Sequence, residues 1–221
     1  MGSLIWKDII VQKRSWWTVV FYAVFMHIAL AKMVTGAYTA SAFGIAYLLV
    51  LGASAYDEKN KGDMLLNSLP LPRKTIVLAK YVGAFVFMLV GMLGSVLAGT
   101  AMKLAGLPMP LRFITGVDLL GMFVGLSFFI AIYFPIFFKF GYMKSRYLNI
   151  FIFMLLFFGP QFLVEQVRKF PGFAENMAGW IQGVSVAPTT ILTLLTFIFA
   201  GVVLVVSFLT SVAIYQRREM I

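Results

Sequence analysis

The stretch DEKNKGDMLLNSLPLPRKTIVLAK, residues 57–80, is the most polar run in a strongly apolar chain. Mixed charge opens it at Asp57, Glu58, Lys59, Lys61 and Asp63. An apolar cluster follows at Met64, Leu65, Leu66 and Leu69, and Pro70 and Pro72 interrupt the chain before Arg73, Lys74 and Lys80. Continuous apolar runs of about twenty residues flank it on both sides, the length an α-helix needs to cross a bilayer. A reverse turn between two such helices takes only a few residues. A connection this long and this varied predicts a contact with something on its own side of the membrane.

The flanks set the class. The chain has 221 residues, of which 62% are hydrophobic and 12% charged, whereas a soluble domain is nearer half apolar and about a quarter charged. So few charges cannot cover the surface of a soluble protein of this size. Only helices and closed barrels satisfy their backbone in lipid, and barrel strands read as alternating segments of roughly ten residues. The continuous runs here predict an all-α integral membrane protein, one transmembrane domain over residues 1–221. Six transmembrane helices are expected at about residues 16–34, 37–56, 81–102, 116–138, 147–164 and 189–215.

Ahead of the first span, Ile5, Trp6, Ile9 and Ile10 share one helical face, which predicts a helix lying in the interface. Lys13 falls near that face, so a charged N-terminal tail is the alternative. Trp16 and Trp17 sit where an interfacial aromatic belt would lie. The basic start, apolar middle and Ala29-Leu30-Ala31 also match a signal peptide; we read the segment as a retained span. His27 is the single histidine. An intramembrane histidine can serve as a proton site, but no acid accompanies it in this span, and helix packing is the favoured reading.

Ala42, Gly44, Ala46 and Gly52 in the second span, and Gly83, Gly91, Gly94 and Gly99 in the third, predict close helix approach. Asp118 opens the fourth span as either a buried acid or a helix cap. Lys139, Lys144 and Arg146 mark a second basic loop, residues 139–146, and Gly159-Pro160 predicts a kink or break near the end of the fifth span. In residues 165–188, Phe170, Phe173, Met177, Trp180 and Ile181 punctuate Glu165, Arg168, Lys169 and Glu175. That pattern predicts a short interfacial or re-entrant helical segment.

With six spans, both termini share a side with residues 57–80 and 139–146, and that side carries thirteen of the 18 basic residues. The positive-inside rule assigns it to the cytoplasm and residues 165–188 to the outside. The formal net charge of +10 is accounted for by this orientation, with no nucleic-acid partner expected.

Catalytic patterns are missing from the sequence. It has no cysteine, one histidine, no H-E-x-x-H and no G-x-x-x-x-G-K-[ST]. Gly125-Leu126-Ser127 lacks the second glycine of a nucleophile elbow. Few charges fall mid-span, which weighs against ion-coupled transport. A membrane subunit driven by a separate protein fits better. Met64, Leu65, Leu66 and Leu69 would anchor a short helix in a partner's groove, with Asp57, Glu58, Lys59 and Arg73 as its polar rim. A solvated loop lying on the headgroups is the bland alternative.

Tyr56-Asp57-Glu58-Lys59-Asn60-Lys61 and residues 66–81, Leu66-Asn67-Ser68-Leu69-Pro70-Leu71-Pro72-Arg73-Lys74 through Tyr81, resemble the loop between spans two and three of small ABC-2-type permeases. The likeness is to compact permease subunits of Gram-positive bacteria, some of which export antimicrobial or cytolytic peptides such as phenol-soluble modulins. It implies a type V-like bundle in the cell membrane, with a coupling helix after span two and a second contact at Lys139, Lys144 and Arg146. It also implies short outer helices in residues 165–188, where Phe170, Phe173 and Trp180 are gate candidates. The implied partners are two ABC ATPase subunits and a second permease, identical or related, in the lipid bilayer. ATP and Mg belong to the ATPases, and no cofactor is expected on this chain. The expected cargo is an amphipathic or hydrophobic peptide, with lipid, drug or polysaccharide cargo, or a non-transporting scaffold or sensor, as alternatives.

Overall fold

Small residues decide which helix lies at the centre. In helix α3 (Ala37–Lys59), Ser41, Ala42, Gly44, Ala46, Ala53 and Ser54 are all buried. A helix with so little side-chain bulk admits neighbours on several sides. Helix α4 (Arg73–Leu104) comes so close that a Cβ on Gly91 would lie 2.7 Å from the Ala42 carbonyl oxygen. Helix α2 (Trp16–Ala29) uses Gly44, over which the ring of Tyr22 lies. Helix α5 (Gly116–Lys169) meets α3 through an edge-to-face pair, Phe43 and Phe129, with ring centroids 5.4 Å apart. Helix α6 (Thr189–Arg217) packs on α5 and α4 at the periphery. Helix α1 (Gly2–Val11) and a 3-10 turn, Gln12–Ser15, lead into α2.

This computed structural model describes residues 2–30, 37–60, 72–106, 113–169 and 189–217, without the side chains of 3, 14–15, 144, 146, 149, 152–153, 155–169, 189–190 and 192. Among the described residues there are six α-helices and no strand.

Spacing builds the core of α5. Phe129, Tyr133 and Phe137 recur every fourth residue, so their rings stack along one face, 5.6 Å and 5.7 Å apart. All three are buried. Hydroxyls tie this core to its neighbours. The Tyr81 hydroxyl of α4 lies 2.6 Å from Ser207 Oγ and 2.8 Å from Ser211 Oγ of α6. Ser207 Oγ in turn donates to the Ala131 carbonyl of α5 at 2.6 Å. In hydrocarbon such hydroxyls need partners, and their pairing holds three helices in register.

The outer faces are apolar. Phe85, Leu89, Leu93 and Leu97 form an exposed stripe on α4, as do Leu195, Ile198, Val202, Val205 and Leu209 on α6. Their helical spacing makes each a continuous exposed apolar strip. Among the described residues, four helices are long and apolar enough to cross a bilayer: Ala37–Lys59, Arg73–Leu104, Gly116–Met143 and Thr193–Arg217. The architecture is that of a multi-pass membrane protein.

Several boundaries differ from the sequence expectation. α3 runs on to Lys59 and α4 starts at Arg73, so the connection shrinks from 57–80 to 60–72. Charge did not end these helices because the charges at their ends pair with one another. Residues 139–146 form no loop. α5 is helical on both sides of Gly141, whose φ of 75° and ψ of 173° make the whole change of direction in one residue. Glycine alone enters that region without steric cost. Of the kink or break expected at Gly159 and Pro160, the break does not occur: the backbone stays helical there and on to Lys169. α2 as described has 14 residues, shorter than the roughly 20 that span a bilayer; the rest of the expected first span, residues 31–34, lies outside the described residues.

Candidate coupling site

Four charges close a ring at the end of the bundle from which the 60–72 connection emerges. Each oxygen of two carboxylates faces one ammonium. Asp8 Oδ1 lies 3.2 Å from Lys7 Nζ and Asp8 Oδ2 lies 3.0 Å from Lys80 Nζ. Asp57 Oδ1 lies 2.5 Å from Lys7 Nζ, and Asp57 Oδ2 pairs with Lys80 Nζ. Lys7 and Asp8 sit on α1, Asp57 in the last turn of α3, and Lys80 in the second turn of α4. Asp8, Asp57 and Lys80 are buried. The ring is electrically neutral, and burial of single charges at these positions would be prohibitive. Burial opposes the Lys7 ammonium, but the hydrogen bond and charge of Asp57, with Asp8 beside it, outweigh that and hold its pKa above the ordinary lysine value.

Gly83, one turn beyond Lys80, lies beside the ring: a Cβ there would be in ordinary contact with Asp8 Oδ2, at 3.6 Å. Two cavities of about 10 Å³ border the cluster, one lined by Leu4, Lys7, Asp8, Ile76, Ala79 and Lys80, the other by Asp8, Ser54, Lys80 and Phe134 among others. Next along the chain, Gln12 is buried and its Nε2 donates to the Leu49 carbonyl of α3 at 2.8 Å.

Two further ties leave the same helix ends. Glu58 Oε2 accepts from the Met143 backbone N–H at 3.0 Å. Met143 follows the Gly141 break, where a restarting helix exposes unpaired N–H groups, and a carboxylate there is favourable. Arg73 Nη1 donates to the Tyr215 and Gln216 carbonyl oxygens at 3.2 Å and 2.8 Å. These carbonyls end α6, where a cation is favoured. The last turn of α3 and the first two turns of α4 are thus bonded to α1, to the second limb of α5 and to the end of α6.

A family model for ABC-2 family transporter proteins matches residues 3–216. The chain belongs to that family. It is therefore a permease subunit of an ABC transporter, a membrane component of a transport system. Permeases of the ABC-2 family work with ABC ATPase partners. A comparison with curated proteins found no match.

The ABC-2 match leaves residue roles to the geometry. Of the expected rim residues, Glu58 and Lys59 are exposed, Arg73 is half-buried against α6, and Asp57 is buried in the ring. Asp57 thus faces inward, because a carboxylate between two ammonium groups is better satisfied there than on a rim. Lys139 is exposed, its Nζ 5.2 Å from the centroid of the Phe140 ring. Met64, Leu65, Leu66, Leu69, Phe170, Phe173 and Trp180 lie outside the described residues, as do the side chains of Lys144 and Arg146.

The sequence reading of this permease missed Lys7, Asp8, Gln12 and Lys80 as a group. The available signal was the acid in α1: Asp8 is the one acid before Asp57, and an acid on a helix docked against a membrane bundle needs a cation. The expected apolar face of α1 also divides. Leu4 and Ile9 pack toward the core while Trp6 and Ile10 are exposed.

At the opposite end, His27 is packed rather than set in a polar site. Its Nδ1–H points to the Ala23 carbonyl at 2.9 Å, and its ring meets Tyr38 edge-on at 5.1 Å. Asp118 caps α5. Its Oδ2 accepts from the Thr115 backbone N–H at 2.9 Å and from Thr115 Oγ1 at 2.7 Å, the reciprocal contact of a capping box.

Proposed function

We propose that this permease converts ATP-driven movement of separate ABC ATPases into export across the bacterial cytoplasmic membrane, received through the 60–72 connection. The observation that supports this most is convergence: the helix ends bearing that connection are bonded to α1, α5 and α6 at once. A push on the connection would reach three elements without crossing lipid. Leu65 and Leu66 are proposed as anchors in an ATPase groove, with Lys59 at the rim and Lys139, Lys144 and Arg146 as the second contact.

The path is proposed to lie between this chain and a second permease. Met88, Met122, Phe129, Phe134 and Phe137 fill the core, while Phe21, Phe25 and Phe85 lie on outer faces. A larger space of about 480 Å³, near Gly116, Leu120, Thr193 and Phe197, opens on the surface. The passenger proposed is an amphipathic or hydrophobic peptide, which suits apolar walls better than an ion does. Phe170, Phe173 and Trp180 are proposed to gate its exit. In proteoliposomes holding the permease and its ATPase, cationic amphipathic peptides should raise ATP turnover severalfold. No stimulation by peptides, with stimulation by a lipid, would transfer the assignment to lipid export.

Sidedness has its own test. Cysteine placed at Asn60 should react with an impermeant maleimide only from the cytoplasm, and cysteine at Asn176 only from outside. The native chain has no cysteine, so background is low. The reverse pattern would invert the orientation.

A further inference from the structure

We infer that α1 and the two helix ends flanking the 60–72 connection move as one body, bolted by the Lys7–Asp8–Lys80–Asp57 ring, with Trp6 and Ile10 as its foot in the lipid interface.

Three observations carry this. First, the ring has two corners on α1 and one each on α3 and α4, with one ion pair across each of the three contacts, so none of these elements leaves the other two without breaking two ion pairs. Second, α1 presents its charges inward and apolar side chains outward. Asp8 is buried, Lys7 is drawn over it, and Trp6 and Ile10, one turn apart, are 63% and 52% exposed. An interfacial helix ordinarily keeps its charges in water. This one buries Asp8 in the protein and ties half-buried Lys7 to it, which fixes its position on the bundle and leaves Trp6 and Ile10 for the headgroup layer. Third, the arrangement is a costly way to gain stability. Apolar residues of similar volume commonly serve as well or better in a buried position. What a closed ionic ring supplies is a defined geometry: it is satisfied at one mutual placement of the three elements. Asp57 and Lys80 are thereby positioning residues for the movement of the connection. That an ATPase drives the body rests on the function proposed above; the bolting itself does not.

Spin labels on cysteines replacing Ile10 and Leu97 measure the bolt directly in nanodiscs. Both sites are exposed, and Leu97 stands roughly 26 Å along α4 from Lys80 at 1.5 Å per residue. With the ring intact the distance distribution should be narrow. The double replacement Asp57→Asn with Lys80→Met leaves Lys7 and Asp8 as a neutral pair and no stranded charge. It should broaden the distribution at least twofold, whether or not Lys80→Met alone folds. An unchanged width and mean in the double variant would overturn the inference. A second label pair, at Ile10 and Leu209, is read with ATPase and ATP added. No nucleotide-dependent change there, alongside an intact bolt, would count against the ATPase coupling and leave the bolted body standing.

Discussion

Replacing Lys80 by methionine is expected to destabilise the permease by about 3–5 kcal/mol, the usual cost of removing one partner from a buried ion pair. The cause is what remains. Lys80 bridges Asp8 Oδ2 and Asp57 Oδ2, and without it Lys7 faces two buried carboxylates alone. Removing one of them as well, by Asp57→Asn, should recover most of the loss, because the remaining pair is neutral. Heating in detergent, followed by size-exclusion, should show the single variant melting well below the unaltered chain and the double variant between them. If Lys80→Met melts with the unaltered chain, the ring does not carry the charge balance assigned to it.

The second large effect belongs to Gly91. A Cβ there would lie 2.7 Å from the Ala42 carbonyl oxygen and 3.1 Å from Ala46 Cβ. Backbone cannot give way as a flexible side chain can, so α3 and α4 must part. Gly91→Ala should therefore cost about 1–3 kcal/mol or more, and Gly91→Leu should prevent assembly of the bundle. Gly125 and Gly201 are the controls, since a Cβ at either meets nothing within 4 Å. Alanine at these two sites should leave the melting temperature unchanged or slightly raised, from helix propensity. Equal effects at all three positions would mean that propensity, not packing, governs the third span.

The membrane class and the helical content were legible because hydropathy reports what contacts lipid. Gly91 was legible as one of several glycines, but the sequence did not say which one faces a backbone. The helix ends at Lys59 and Arg73 were not legible. Charged residues ordinarily mark a helix leaving the bilayer, and here Asp57 and Lys80 stay helical because they pair across space. Gly141 was hidden for a related reason. Its neighbours Lys139, Lys144 and Arg146 read as a loop, while the turn needed one residue of positive φ. Asp118 was legible as an alternative: Thr115 stands three residues before it, and that spacing is what the capping contact uses. The ring itself pairs residues up to 72 positions apart, and no local pattern encodes such a pairing.

In the proposed function an ABC ATPase drives this chain through the connection between α3 and α4. The most direct test of this is native mass spectrometry of the tagged permease purified with its own ABC ATPase, with and without Leu65→Asp and Leu66→Asp. Two carboxylates forced into an apolar groove cost several kcal/mol. The account predicts an ATPase-bound complex for the unaltered chain and bare permease, still inserted in the membrane, for the double variant. An ATPase retained equally by both, or bound by neither, would contradict it.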